Sequence, residues 1–167
     1  MWKNRNGFSL IEAVIVIALI GVLVGSSVSM IGYLRYANTK KVVEKVNSEL
    51  NSLRLETMSQ TGDKYLYIYY KENDGYYMNV LETKHWPEAG GTLPGDITTG
   101  GMKLCGESVE FYTDEAESDK VTGGHYICVA YTKSGLFKGG YTPLIKIVGS
   151  RTYTIHLDGV SGRHYVD

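Results

Sequence analysis

Glu12 is the residue whose position most demands a chemical reason. It is the only charged residue between Leu10 and Leu34, in an otherwise apolar stretch. A charged side chain at the centre of a bilayer costs about 2.5–3.5 kcal/mol on insertion scales, and less near the edge. An acid kept just inside such a segment usually has a task. Other reactive side chains are sparse. His85, His125, His156 and His164 do not fall at metal-ligand spacing with one another or with a cysteine. Gly159-Val160-Ser161-Gly162 lacks the spacing of a nucleophile elbow and reads as a turn. No phosphate loop or dinucleotide motif is present. We therefore assign no catalytic residue, metal or cofactor, and expect no enzyme activity.

Two cysteines, Cys105 and Cys128, sit in strand-like surroundings. On an exported domain they could close a disulfide, worth roughly 3 kcal/mol for a loop of about 24 residues. The other reading is two free thiols. Asp114-Glu115-Ala116-Glu117-Ser118-Asp119 packs four acids into six residues. Calcium takes oxygen ligands, but no EF-hand spacing supports a site, so a solvated loop is favoured.

Charge is divided rather than balanced. Residues 63–119 carry 4 basic and 12 acidic residues, whereas residues 120–166 carry 6 basic and 1 acidic. Lys133, Lys138, Lys146, Arg151 and Arg163 form a candidate basic patch. It could dock the acidic part of a neighbouring head, contact DNA phosphates, or simply face solvent. DNA ranks last, because residues 35–167 together are net acidic.

The elements that hold these residues divide in the same way. The chain has 167 residues, enough for one domain and an appendage. Residues 8–34 include 19 hydrophobic residues in 27; residues 35–167 include 51 in 133. As a helix, Leu10–Leu34 would span about 37 Å, enough to cross a hydrocarbon core of ~30 Å. Lys3 and Arg5 precede it with no acid between, which places the N-terminus in the cytoplasm and the head outside. A competing reading is a secretory signal cut near Ser27-Val28-Ser29, releasing a soluble β-rich binding domain.

Residues 35–61 continue as an amphipathic helix, with Val43, Val46, Leu50 and Leu53 on one face and Lys45–Glu49 as an i,i+4 pair. Gly62-Asp63 ends it. Residues 62–167 read as β. One hairpin runs through Tyr65–Tyr70 and Tyr76–Leu81 around an Asp-Gly turn. Residues 85–101 form a loop. Strands are expected at Glu107–Thr113 and His125–Thr132. A second hairpin, Leu144–Val148 and Arg151–Leu157, turns on Gly149-Ser150, and Arg163–Val166 is a last strand. The expectation is an α+β chain: a long N-terminal helix, half transmembrane and half amphipathic, packed on one antiparallel sheet with its other face in solvent.

Lys3-x-Arg5-x-Gly7-Phe8-Ser9-Leu10-Ile11-Glu12-Ala13 resembles the N-terminus of type IV prepilins and type II secretion pseudopilins. The resemblance implies the pilin fold, with residues 1–7 as a leader and residues 8–34 as the membrane and filament-core helix. It implies cleavage between Gly7 and Phe8 by a prepilin peptidase, and N-methylation of Phe8. Glu12 then matches the family's filament-assembly acid, whose partner is an N-terminal amine. Implied partners are other pilin-like subunits, the peptidase and an inner-membrane assembly platform. A weaker likeness covers the C-terminal strands and Gly162-Arg163, which resemble minor pseudopilins of the GspH/FimT type. The machine served could be secretion, adhesion, motility or DNA uptake.

Overall fold

The computed structural model describes residues 9–59, 62–84, 93–139 and 142–167. One helix, α1 (Leu10–Ser59), is followed by eight strands: β1 (Tyr65–Lys71), β2 (Gly75–Leu81), β3 (Met102–Cys105), β4 (Glu110–Tyr112), β5 (Tyr126–Ala130), β6 (Leu144–Val148), β7 (Thr152–Leu157) and β8 (His164–Val166). The chain divides into two units, one ending at Arg35 and the other spanning Tyr36–Asp167. The α+β architecture expected from sequence is present.

In the first unit α1 is clad in exposed apolar side chains, from Leu10 at 86% exposed through Ile17 at 70% to Leu34 at 50%. Nothing in the unit covers them.

In the second unit α1 buries one stripe: Val42, Val43, Val46, Leu50 and Leu53, the face that the three- and four-residue spacing predicts. Thr39 and Thr57 are buried at its ends, and Thr57 Oγ1 donates back to the Leu53 carbonyl at 2.7 Å. The ion pair on the outer face is Lys40–Glu44 at 3.9 Å, one turn earlier than the expected Lys45–Glu49.

The strands form two antiparallel four-stranded sheets, ordered β3-β2-β1-β5 and β4-β6-β7-β8, where sequence suggested one. The helix stripe, Leu66, Ile68, Ile127 and Val129 of the first sheet, and Phe111, Ile145, Ile147 and Ile155 of the second share one core. The first sheet's other face is not open to solvent. Tyr65, Tyr67 and Tyr69, which alternate with Leu66 and Ile68 along β1, pack with Tyr126, Cys128 and Ala130 beneath Ile97. The loop that carries Ile97 therefore acts as a cover, and both faces of β1 are apolar.

Both expected hairpins form. β1 and β2 pair from Tyr65↔Leu81 to Lys71↔Gly75, with Asn73 at φ 58° in the turn. β6 and β7 are joined by three residues rather than two, because Val148 pairs with Thr152. The turn is set by the helix: a Cβ on Gly149 would overlap Thr39, whose hydroxyl accepts the Ser150 amide at 3.3 Å.

Candidate functional site

At the start of α1 the sequence Ser9-Leu10-Ile11-Glu12 closes a capping box. The Glu12 amide donates to Ser9 Oγ at 3.3 Å, and Glu12 Oε2 accepts from the Ser9 amide at 3.2 Å and from its hydroxyl at 3.3 Å. The carboxylate is thereby turned toward the helix N-terminus, where the helix dipole favours negative charge. Ser-x-x-Glu ahead of an apolar run is the capping signature, so the pairing of Ser9 with Glu12 is legible in the sequence alongside the acid itself. Gly7 and Phe8, the expected cleavage and methylation residues, lie outside the described residues. Gly21 and Gly25 have open space where a Cβ would stand, so this face of the helix is free to approach another closely.

The cysteines are not bonded. Cys105 is on β3 and Cys128 on β5, the two ends of the first sheet, with β2 and β1 between them. Three inter-strand steps of about 4.8 Å put their backbones roughly 14 Å apart, about twice the reach of a disulfide. They also serve different faces, Cys105 packing on the main core and Cys128 within the tyrosine layer. Burial pushes their thiols up, to about 11 for Cys105 and about 12 for Cys128, so both stay protonated at neutral pH.

The five basic residues do not make one patch. Lys138 pairs with Asp63 and its ammonium also reaches Tyr65 Oη at 3.3 Å. Lys146 binds Glu117 at 2.8 Å and donates to the Glu115 carbonyl at 2.6 Å. Arg151 lies over the Tyr36 ring at 4.9 Å, at the opposite end of β7 from Arg163. Lys133 and Arg163 are exposed. Strand length decides this dispersal: six residues of β7 separate the two ends by about 20 Å.

The acidic loop is internally organised. The Ser118 hydroxyl first, and then the Asp119 and Ser118 amides at 3.0 and 3.1 Å from Asp114 Oδ1, hold the Asp114 carboxyl below the usual range. Asp119 accepts from Thr113 Oγ1. No group of three metal-ligating side chains occurs among the described residues. His125 lies 3.5 Å from Asp119 and His156 lies 3.2 Å from Asp167, while His164 Nδ1 is 3.3 Å from the Tyr131 hydroxyl. His85 lies outside the described residues. Ser161, in the Gly159–Gly162 turn, donates to Asp158 rather than to a base.

A helix long and apolar enough to cross a membrane, with an N-capped acid at its start and a β-rich head after it, defines a membrane-anchored α+β protein. Residues 2–28 match the prokaryotic N-terminal methylation motif, and this supports the type IV prepilin and pseudopilin family that the Gly7–Glu12 string resembles. No curated protein and no solved structure matches the chain. The motif implies pilin-family subunits and a prepilin peptidase as partners.

Proposed function

We propose that the chain is a minor pilin or pseudopilin, a structural rather than catalytic subunit of a type IV pilus-like or type II secretion filament. The peptidase cuts after Gly7 and methylates Phe8, and an inner-membrane platform then adds the subunit to the filament. The N-terminus is cytoplasmic before processing and the head is extracytoplasmic. The order of the last strands and Gly162-Arg163 before β8 support the GspH/FimT type within the family. The observation that carries the reading is Glu12, an acid at the head of an apolar helix inside a methylation motif. Ser9 already aims its carboxylate at the helix N-terminus. A positive amine there, from this chain or a neighbour, would offset much of the cost of an acid at membrane depth.

Intact mass of the chain, expressed with and without a prepilin peptidase, tests this. The expected product lacks Met1–Gly7 and gains one methyl group. A mature chain beginning at Met30 would establish a signal-peptidase product instead. Normal assembly of Glu12→Ala would remove the role given to the acid.

A further inference from the structure

We propose that the head docks head-to-tail on a second copy of itself, the acidic loop Asp114–Asp119 of one copy seating on the turns around Gly135 and Gly162 of the next. The proposal rests on the filament-subunit reading and names the contact between heads.

The receiving surface is built by two interlocked turns. Gly162 and Gly135 both have positive φ, 64° and 79°, and a Cβ on Gly162 would overlap the Gly135 carbonyl and stand 2.8 Å from Leu136 Cα. On its other side Gly135 faces Met58 and the Arg54 guanidinium. The interlock leaves apolar side chains in solvent around it: Val160 is 88% exposed, Met58 51% and Leu136 38%. Cations ring them. Arg54 donates to the Ser161 carbonyl at 3.5 Å, while its Nε is buried without a hydrogen-bond partner. Lys133 and Arg163 are exposed, and neither makes an ion pair among the described residues. The carboxylate in this turn, Asp158, is engaged by the Val160 amide at 3.0 Å and by the Ser161 hydroxyl. An exposed apolar cluster with a cationic rim fits a ligand that offers small apolar contacts together with carboxylates.

The chain itself presents such a ligand. Lys146 holds Glu117 and the Glu115 carbonyl, and Asp114 closes the turn on Ser118 and Asp119. The loop is exposed from Glu115 to Asp119, and the Glu115 carboxylate, next to Ala116, has no ion-pair or hydrogen-bond partner among the described residues. The loop follows β4 and the Gly162 turn precedes β8, and these are the two edges of the sheet β4-β6-β7-β8. One head cannot close that distance on itself. The two surfaces differ, so the contact is heterologous and can repeat without closing, as a filament requires.

The test uses the full chain in detergent. Glu115→Cys combined with Val160→Cys, treated with a short bis-maleimide, should give a ladder of covalent dimers and larger species. The wild type and each single variant set the background from Cys105 and Cys128. Separately, Arg163→Glu should reduce oligomers seen by sedimentation about tenfold or more, and adding Glu115→Arg to it should restore them. A ladder no stronger than background, or oligomers indifferent to Arg163→Glu, overturns the docking. Processing is read on the same samples by intact mass. A correctly cut and methylated chain without a ladder refutes the docking alone; an uncut chain in the presence of the peptidase refutes the filament reading.

Discussion

A side chain at Gly162 would meet the Gly135 backbone, and the left-handed backbone there adds a second cost. Left-handed conformation costs an L-residue roughly 1–2 kcal/mol, and overpacking about 1–3 kcal/mol more. Gly162→Ala should therefore lower unfolding free energy by about 2–5 kcal/mol. Gly106→Ala, where no atom lies within 4 Å, is the control and should change little. Equal denaturation midpoints for the two variants would contradict the interlock. Cysteine chemistry is decided at the same scale. Because Cys105 and Cys128 stand at opposite ends of one sheet, both should alkylate in denaturant without any reductant, adding two labels to the mass. A chain that takes up label only after reduction would mean that the sheet order is different. Strand-like context around each cysteine was readable in the sequence. Which strands lie between them was not, since that depends on β1 pairing with β5 about sixty residues later.

Local periodicity fixes elements better than it fixes their partners. The stripe Val43, Val46, Leu50 and Leu53 is buried as its spacing demands, so Leu50→Ala should cost about 2–5 kcal/mol while Ser48→Ala, on the exposed side, stays within about 0.5 kcal/mol. Denaturant titration of both variants checks it; similar losses would mean the helix does not pack by this face. Alternation in Tyr65–Tyr70 announced a strand, but not that its tyrosine face would be covered by Ile97, which comes from a segment with no strand or helix pattern. β3 escaped notice because Met102–Cys105 is four residues long, too short for alternation to register. His164 ties elements together: its ring meets the Tyr131 hydroxyl of the segment after β5, and the Asn47 backbone of α1. Burial first, and then the Arg54 charge, lowers its pKa below the ordinary value of 6.5. The unfolded chain therefore takes up a proton before the folded one does. Stability should be undiminished above pH 6.5 and fall as pH drops below it, before the carboxylates titrate. His164→Gln should flatten the slope just below that pH; an unchanged slope would assign it to another group.

At the scale of the whole chain, the two units face different solvents. Among the described residues, fifteen large apolar side chains from Leu10 to Leu34 are exposed, and each would gain about 1.5–3 kcal/mol from transfer out of water. Tyr36–Asp167, by contrast, has a buried apolar core of its own. A bilayer supplies what the first unit lacks, and charge sets the direction of insertion. Lys3 and Arg5 flank the apolar run on the short side, where basic residues resist translocation most strongly. Arg35, Lys40 and Lys41 follow on the long side, but they belong to a large domain, and such domains cross largely regardless of charge. The head should therefore face away from the cytoplasm. Asp167→Cys places an exposed thiol on the head just beyond β8, whereas the native thiols are buried or half-buried. A membrane-impermeant maleimide applied to intact spheroplasts should label this variant fully and the parent chain weakly. Labelling of Asp167→Cys only after lysis would reverse the topology. It would also strip the filament reading of its basis, because an extracytoplasmic assembly cannot be built from heads held inside the cell.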